Sequence, residues 1–430
     1  MLAAERSAEG REHDECENGQ VTSISTSLLV VGAGPAGATA AAVAASAGRE
    51  VTLLDAAVFP RDKTCGDGLT PRAIEQMQLL GMSGWLGGRP RSVGIRMIGF
   101  GAEHELPWNG PHLPDFGSAA PRAELDDAIR GVAVANGAQF LGGHRVVGIE
   151  RSADGRVSLV RCRTADSEVV IQCDRLIVAD GVRSPLGKLL GREWHRDTVY
   201  GVAARAYVAS GLHDDAWITS HLELRDEGRQ SVPGYGWIFP LGDGRVNIGV
   251  GSLATQKRAA SVNLHALLEL YVRTERMRWQ LGDDVQSVAS AMLPMGGAVS
   301  SVAGPNWMLI GDAAACVNPL NGEGIDYGME TGRMAIDLLD LADFTEAWPA
   351  ALRASYGNTF SLARRLGALL TFEHFLPVAG PVGMRSNTIM GIALRIMGNL
   401  VTEEDTDALA RVWRGAGAVS RRLDRRQPWA

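Results

Sequence analysis

Residues 28–55 constrain the fold of this chain more than any other stretch, because they combine two apolar segments, a glycine-rich turn and a terminal carboxylate. The apolar run 27–31 predicts a fully buried strand, the alanine-rich segment 36–47 predicts a helix, and 51–54 predicts a second strand. Between the first strand and the helix the sequence has G-x-G-x-x-G spacing. This order of elements predicts the first βαβ unit of a dinucleotide-binding fold.

The glycines of that turn have separate physical roles. Gly32 permits the tight turn, Gly34 lets the backbone approach a pyrophosphate, and Gly37 lets the helix pack closely on the strand. The helix N-terminus offers unpaired N–H groups to phosphate, and Asp55 can accept hydrogen bonds from a ribose. The predicted nucleotide contacts are Gly32, Ala33, Gly34, Pro35, Ala36, Gly37 and Asp55. The motif alone suits NAD and FAD equally, and such spacing also occurs in ordinary loops.

The composition narrows the class of protein. A length of 430 residues gives a prior of two or three domains, and the net charge of −7 gives no signal for nucleic-acid binding. The five cysteines are scattered without CxxC spacing, so we predict neither a metal site nor disulfides and expect a reducing compartment. Residues 1–24 are polar and predict a disordered tail. No apolar run reaches about 20 residues, so no membrane span is expected.

Two later stretches favour a flavin. In 173–191 a buried strand ends at Asp180-Gly181 and leads into a helix. In 307–332 a strand ends at Gly311-Asp312 and is followed by a loop and a helix. These stretches resemble the second and third fingerprints of FAD-dependent monooxygenases and reductases, and the order of all three motifs predicts FAD as the cofactor.

The resemblance implies a role for each matching position. It places Asp312 at the ribityl chain of FAD, and it places the N–H groups of loop 318–324 and of the following helix at the pyrophosphate and isoalloxazine. It also implies that Arg122, at a helix start, reaches FAD and that the backbone of Val146 meets the adenine. The further cofactor contacts predicted in this way are Arg122, Val146, Asp180, Asp312, Gly322, Gly324 and Ile325.

Two other stretches indicate the substrate. A Cys-Gly-Asp-Gly sequence follows Pro-x-x-Lys within 59–81, and an aromatic Tyr-x-Trp-x-Phe-Pro strand lies within 233–251. Both closely resemble the geranylgeranyl reductase family of FAD-dependent oxidoreductases, over about residues 27–340. The resemblance places Cys65, Gly66, Asp67 and Gly68 near the flavin. It implies saturation of an isolated double bond in a polyprenyl chain, and in detail it is nearest to members that reduce the β-isoprene unit of menaquinone.

The chemistry of such a bond predicts what the site must contain. An isolated alkene cannot delocalise charge, so we expect protonation at the less substituted carbon followed by hydride transfer from flavin N5. Alternate residues of a strand share a face, so Tyr235, Trp237 and Phe239 are predicted to line the prenyl pocket, although ordinary core packing explains them too. The predicted catalytic residues are Cys65, Tyr235 and Trp237, with Cys65 positioning substrate, gating the flavin or relaying a proton. His195 and His221 are interpreted as structural.

Several alternatives stay open at this stage. A second G-x-G-x-x-G in a strand–helix context is missing, so electrons come from transiently docked NAD(P)H or from a redox protein. Geranylgeranyl lipids or chlorophyll are alternative substrates. An aromatic hydroxylase is an alternative enzyme, whereas the Trp-x-Trp-x-Ile-Pro motif of halogenases is not found. A non-catalytic flavin-binding protein is the alternative outside enzymes.

The predicted architecture is α/β, with a Rossmann-like FAD-binding domain, a mostly antiparallel substrate domain and a C-terminal helical region. The segments of the FAD-binding domain are 25–92, 118–185 and 288–345; those of the substrate domain are 93–117 and 186–287; the helical region is 346–430. The apolar residues and arginines of this last region predict either a cap on the core or an interfacial surface. Because a polyprenyl substrate resides in lipid, we expect peripheral contact with the cytoplasmic face of the membrane.

Overall fold

The computed structural model describes residues 22–260 and 262–430, in which two large sheets organise the chain. The first, called here the parallel sheet, contains five strands that pair in parallel. In spatial order they are Trp307–Leu309, Glu168–Val178, Thr22–Val31, Val51–Leu54 and Gln139–Leu141. Three antiparallel strands extend this sheet, namely Arg145–Arg151, Val157–Arg163 and Ala303–Gly304.

Small residues let the helices approach the parallel sheet and each other. Alanine and glycine supply eight of the twelve residues of helix Pro35–Ser46, and most of the helix is buried. Helix Ile325–Asp337 crosses it so closely that a Cβ on Gly332 would lie 2.5 Å from the carbonyl oxygen of Ala36. The two helices and the buried half of the central strand belong to one apolar core. This arrangement confirms the predicted Rossmann-like α/β class.

The second sheet, called here the antiparallel sheet, confirms the predicted second layer. Its seven strands within the described residues are, in spatial order, Leu281–Pro294, Tyr200–Ser210, Arg245–Ala254, Gly234–Pro240, Trp217–His221, Gly94–Gly99 and Ala102–Pro107. All neighbours pair antiparallel except Trp217–His221 with Gly94–Gly99. Helix Leu264–Trp279 packs on one face of this sheet through a second apolar core, which leaves the other face for contact with the rest of the chain.

The remaining elements are short or lie in the C-terminal region. The helices are Pro71–Leu79, Ser83–Leu86, Arg122–Ala135, Pro185–Leu189, Ala347–Leu370, Phe375–Gly383, Asn387–Met397 and Ala408–Arg422, with a 3-10 helix at Gly311–Ala314. The small strands are Gly68–Leu69, Arg91–Ser92, Gly117–Ala119, Glu193–Trp194, Val299–Ser300, Leu224–Arg225 and Ser231–Val232. The last four of these helices confirm the predicted C-terminal helical region. Among the described residues, every helix is too short or too polar to cross a bilayer.

Two predicted boundaries differ from the structure. Residues 1–21 of the predicted tail lie outside the described residues, but 22–24 belong to the first strand and pair with 169–171. This half of the strand is polar and partly exposed, so an apolar run does not mark it. The predicted domain boundary between 287 and 288 falls inside strand Leu281–Pro294, which pairs with Tyr200–Ser210 along its length. The antiparallel sheet therefore extends to residue 294.

Candidate functional site

The glycine-rich turn has the geometry that its spacing predicts. Gly32 has a φ of +104°, and its N–H donates to the carbonyl of Leu54 at 2.7 Å. A Cβ on Gly32 would lie 2.2 Å from the carbonyl oxygen of Ala179, and one on Gly37 would lie 1.9 Å from the carbonyl oxygen of Gly32. Larger residues would therefore separate the first strand from the helix and from the neighbouring strand.

Two helix N-termini meet beside this turn. Helix Pro35–Ser46 follows Gly34, and helix Ile325–Asp337 follows Gly324; in neither case does a side chain cap the first turn. Gly311 and Gly328 both lie against the Cβ of Ala36, which holds the second helix start near the first. The uncapped N–H groups and the positive ends of both helix dipoles suit an anionic ligand such as a pyrophosphate.

Two arginines complete the anion-binding corner. A Cβ on Gly34 would lie 3.5 Å from Arg61 Nη2 and 3.9 Å from Arg122 Nη2. Asp126 holds both guanidinium groups: it accepts two hydrogen bonds from Arg122 at 2.7 and 2.8 Å and one from Arg61 at 2.7 Å. Arg122 is thus in the predicted region. Arg61 was missed, although it lies in the stretch 59–81.

Asp55 is bound to the same turn. Its carboxylate accepts from the N–H of Ala33 and from the N–H of Ala57, each at 2.8 Å. The carbonyl of Asp55 accepts from the N–H of His144 at 2.9 Å, so the strand that contains Val146 begins beside it. Asp55 and Val146 therefore lie at the end of the turn where the nucleotide is predicted.

The two later carboxylates have different surroundings. Asp312 lies in the 3-10 helix and forms an ion pair with Lys63 at 2.7 Å, and Lys63 is a second residue that the predicted contact set omits. The Asp180 carboxylate is used locally, since it accepts from the Ser184 hydroxyl at 2.6 Å and from the Leu186 N–H at 2.8 Å. The Asp180 carboxylate therefore caps the helix Pro185–Leu189, while its backbone nitrogen lies 3.0 Å from the Cβ position of Gly32 in the glycine-rich turn.

The Cys-Gly-Asp-Gly loop, residues 65–68, packs directly against the aromatic strand. A Cβ on Gly66 would lie 3.1 Å from Trp237 Nε1, and one on Gly68 would lie 2.7 Å from Phe239 Cε2. A side chain at position 68 would therefore displace the Phe239 ring, and one at position 66 would leave only a tight contact with Trp237. Tyr235, Trp237 and Phe239 share one face, with successive ring centroids 5.9 and 6.4 Å apart.

The three rings differ in exposure. Trp237 is buried, and its ring crosses Gly249 of the neighbouring strand, where an added Cβ would lie 2.1 Å away. Tyr235 and Phe239 are partly exposed. The Tyr235 hydroxyl donates to the carbonyl of Asn321 at 2.5 Å and so joins the aromatic strand to loop 318–324. This loop contains Gly322, which has a φ of +78°.

A buried polar network ties the loop to the sheet. Asn247 donates to the Cys65 carbonyl at 2.9 Å and to Asp67 Oδ2 at 2.8 Å, and its own Oδ1 accepts from Trp237 Nε1 at 2.9 Å. The Tyr207 hydroxyl donates to the same Asp67 oxygen at 2.6 Å. Burial raises the pKa of Asp67 to about 6. The sequence marks Asn247 and Tyr207 only as polar positions within apolar strands.

Cys65 lies between the anion-binding corner and the aromatic strand. It is a free, partly buried thiol, and its loop is held beside the start of helix Arg122–Ala135 by a hydrogen bond from the Ala120 N–H to the Asp67 carbonyl at 3.0 Å. The loop thus links the predicted cofactor-binding and substrate-binding residues.

The two histidines lie elsewhere. His221 contacts the Tyr271 hydroxyl at 2.5 Å on the face of the sheet that helix Leu264–Trp279 covers, and burial lowers its pKa to about 4. His195 is hydrogen-bonded through its backbone to Ala298, and burial lowers its pKa as well. Both are outside the cluster around residues 65–68, which agrees with a structural interpretation.

The residues present fit FAD. The diphosphate has two uncapped helix ends and the guanidinium groups of Arg61 and Arg122, and the glycine at position 34 leaves the space beside them free. Asp55 and Asp312 offer carboxylate acceptors for ribose and ribityl hydroxyls at the two ends of that corner. The aromatic strand and loop 65–68 lie alongside the anion-binding corner.

Comparison with known proteins agrees with this assignment. A family model of the FAD binding domain matches residues 25–243. A menaquinone reductase of Mycolicibacterium smegmatis is 58% identical over 406 residues, which cover 94% of this chain and 98% of that protein. A digeranylgeranylglycerophospholipid reductase of Methanopyrus kandleri is 28% identical over 356 residues, covering 80% and 90%. A geranylgeranyl bacteriochlorophyll reductase-like protein from Thermoplasma acidophilum has a TM-score of 0.75 at 18% identity, covering 92% and 100%. These likenesses confirm the fold and the FAD cofactor.

Proposed function

This chain belongs to the FAD binding domain family and, within it, to the geranylgeranyl reductase family of FAD-dependent oxidoreductases, and we propose that it saturates one isolated double bond in the side chain of menaquinone. We further propose the β-isoprene unit, the second from the ring, as the one reduced. The identity of 58% to a menaquinone reductase along nearly the whole chain supports the substrate. Geranylgeranyl lipids are the alternative, since the relative from Methanopyrus kandleri acts on them by name.

One structural observation carries the proposal. Loop 65–68 packs against Trp237 and Phe239, and the same loop adjoins the anion-binding corner, because the Asp67 carbonyl accepts from the Ala120 N–H just before Arg122. Apolar and aromatic walls thus lie next to the place where FAD fits. An alkene without polar groups needs such walls, because they exclude water and their ring faces stabilise positive charge that develops on carbon.

The chain supplies binding and orientation around the cofactor. Bound FAD supplies, in its reduced form, the hydride that completes the saturation. Arg61, Arg122 and the two helix ends would hold the diphosphate, and the carboxylate of Asp312, which is paired with Lys63, would accept hydrogen bonds from the ribityl hydroxyls. Tyr235 and Phe239, the two partly exposed rings, contact the prenyl chain. Trp237 is buried and holds the strand in place through Asn247.

The product identifies the reaction. Protein loaded with FAD should convert detergent-dispersed menaquinone into a species two hydrogens heavier, as measured by mass spectrometry. NADH, NADPH and a reduced redox protein should be compared as donors, with dithionite as a donor that needs no docking. Fragmentation of the side chain locates the reduced unit. Incorporation of an oxygen atom, or reduction of a geranylgeranyl lipid but not of menaquinone, would contradict the proposal.

Cys65 gives a test at the site itself. Since Cys65 lies between the cofactor corner and the aromatic strand, Cys65→Ser should keep FAD bound and lose at least about tenfold in turnover. Cys162→Ser is the matched control, because Cys162 is buried in the core of the parallel sheet. FAD content is read from visible absorbance and turnover from the mass of the product. A Cys65→Ser protein with the wild-type rate would remove the thiol from the mechanism.

We also propose that an exposed apolar surface rests on the membrane. Helix Phe375–Gly383 has no buried side chain. The surface, called here the apolar patch, comprises Leu369, Phe372, Val378, Val382, Ile389 and Ile392, which are all exposed. Beneath it, Met384, Met390 and Leu394 form an apolar cluster that Phe239 joins. Apolar side chains thus continue from the patch to the aromatic strand, which suits a substrate that enters from lipid.

Flotation with vesicles tests the patch. Val378→Glu together with Val382→Glu should abolish binding to vesicles and raise the apparent KM for vesicle-borne menaquinone, while activity on a short-chain substrate in detergent stays unchanged. Met277→Glu is the control, because Met277 is an apolar side chain that is 88% exposed and lies outside the patch, on helix Leu264–Trp279. Full activity of wild-type protein on long-chain substrate without vesicle binding would contradict the proposal.

A further inference from the structure

Asp67 is the buried carboxyl of loop 65–68, and its two oxygens have unlike surroundings. Its side chain is inaccessible to solvent. Oδ2 accepts hydrogen bonds from the Tyr207 hydroxyl and from the Asn247 amide, whereas Oδ1 has no hydrogen-bond partner among the described residues. When the carboxyl is neutral, its proton therefore resides on Oδ1, because Oδ2 already accepts two donors.

The charged groups that face Asp67 come from three directions. Arg122 lies on helix Arg122–Ala135 and Arg205 on strand Tyr200–Ser210, and both favour the carboxylate; the Cys65 thiol is on the same loop. Arg205 is already paired with Asp62 at 2.6 Å. Burial outweighs these charges and raises the pKa of Asp67 to about 6, so the group can both hold and release a proton near neutral pH.

We propose that Asp67 is the acid that donates the proton added to the alkene, an inference that rests on the proposed function. Three observations support this role: the unpartnered oxygen, the two donors on the other oxygen, and the direct packing of its loop under the aromatic strand. Glu323, in loop 318–324, is a second carboxyl with a buried oxygen, Oε1, that lacks a partner among the described residues, and burial raises its pKa well above its usual range. Asp67 is favoured over Glu323 because two donors on Oδ2 stabilise the carboxylate that remains, whereas Glu323 Oε2 accepts from the Asn321 amide at 3.0 Å.

Proton transfer and hydride transfer together add two hydrogens to the double bond. The O–H bond at Oδ1 breaks as a C–H bond forms at the less substituted alkene carbon, and the more substituted carbon takes the positive charge. The hydride supplied by reduced FAD completes the second C–H bond, and a nicotinamide or a reduced redox protein restores the two electrons. The carboxylate that remains is stabilised by the donors Tyr207 and Asn247. Because Asp67 is shielded from solvent, the Tyr207 hydroxyl that contacts Oδ2 relays the proton that restores the acid between turnovers.

The pH profile of a single turnover tests this assignment. Pre-reduced protein is mixed anaerobically with menaquinone, and flavin reoxidation is followed against pH. The rate should fall about tenfold per pH unit above the pKa of Asp67. Asp67→Asn should keep FAD bound and lower the rate at least about a hundredfold. It should also abolish the fall of the rate at high pH, called here the limb. Tyr207→Phe removes a donor that lowers the pKa, so the limb should move to higher pH.

A second measurement needs neither substrate nor turnover. Infrared difference spectra should show the carbonyl stretch of a protonated carboxyl that titrates near pH 6, disappears in Asp67→Asn and moves to higher pH in Tyr207→Phe. Glu275→Gln is the control: Glu275 is a second buried carboxyl with a raised pKa, on the other face of the sheet beside His221. Replacement of the Glu275 carboxyl should leave the pH profile of the single-turnover rate unchanged.

The outcomes separate the two proposals. If wild-type protein gives no product two hydrogens heavier, the proposed function fails, whatever the infrared titration shows. If that product forms but Asp67→Asn retains the wild-type rate and pH limb, Asp67 is not the acid. Loss of the limb in Glu323→Gln, with the limb kept in Asp67→Asn, would likewise overturn the assignment and move the proton source to loop 318–324.

Discussion

At the scale of single residues, Gly32 is the position of the turn that tolerates least change. In Gly32→Ala, the positive φ costs about 1–2 kcal/mol, and the added Cβ meets the Ala179 carbonyl at 2.2 Å. We expect loss of FAD binding and a destabilisation of several kcal/mol. Gly48→Ala is the control, because Gly48 also has a positive φ, +77°, but has nothing within 4 Å of its Cβ position. Thermal denaturation and visible absorbance measure the effects, and equal FAD content in both variants would contradict the expectation.

Asp67 also predicts how stability depends on pH. Its pKa is raised from 3.8 to about 6 by burial, so the folded state binds more protons than the unfolded state between these values. Stability from this group is present below about pH 4 and falls by about 3 kcal/mol as the pH rises through 6. Asp67→Asn cannot ionise, so its free energy of unfolding relative to wild type should rise by that order between pH 4 and 7. Urea denaturation at several pH values measures this difference, and a constant difference would contradict it.

At the scale of elements, the packing of two helices sets the distance between their N-termini. In Gly332→Ala the added Cβ would lie 2.5 Å from the Ala36 carbonyl oxygen and 3.2 Å from the Ala40 nitrogen. The helices must separate, so we expect weaker FAD binding by at least about tenfold and a lower Tm. Gly131→Ala is the control in a helix with open space, where the change should stabilise by up to about 1 kcal/mol. Flavin fluorescence quenching gives the affinity, and equal affinities would refute the expectation.

Elements with a strong local pattern could be predicted from the sequence. The glycine spacing and the apolar strands of residues 28–55 indicate the βαβ unit, because all the residues that define this unit lie within one short stretch of sequence. The polar half of strand Thr22–Val31 was missed, since it is held only by pairing with Glu168–Val178. The predicted domain boundary between 287 and 288 falls inside strand Leu281–Pro294 for the same reason: its largely exposed residues carry no signal of their partner strand.

At the scale of the whole molecule, the site depends on contacts that a sequence pattern does not contain. Asp67 accepts hydrogen bonds from Tyr207 and Asn247, which lie 140 and 180 positions further along the chain. The motifs placed loop 65–68 near the aromatic strand through a family resemblance, but Tyr207 and Asn247 belong to strands whose spacing does not mark them. Arg61 and Lys63 lie within a recognised stretch, yet only the fold shows that they reach Asp126 and Asp312.

The C-terminal segment supports the cofactor site from a distance, which gives a last prediction. Trp429 is buried, donates from Nε1 to the Ala314 carbonyl at 2.7 Å and packs on Phe360. Ala314 ends the 3-10 helix that carries Asp312. Trp429→Ala should therefore cost about 3–5 kcal/mol in the free energy of unfolding and weaken FAD binding through the displaced turn.

Two further variants separate packing from hydrogen bonding at this position. Trp429→Phe keeps a ring but loses the indole N–H, so it should cost less than the alanine variant while still leaving the Ala314 carbonyl without its donor, a loss of about 1 kcal/mol. Leu423→Ala, at a side chain 67% exposed, should change stability by no more than about 0.5 kcal/mol. Chemical denaturation and FAD titration of the three proteins give both quantities. If Trp429→Ala unfolds early but binds FAD as tightly as Leu423→Ala, the segment stabilises the core without supporting the cofactor turn.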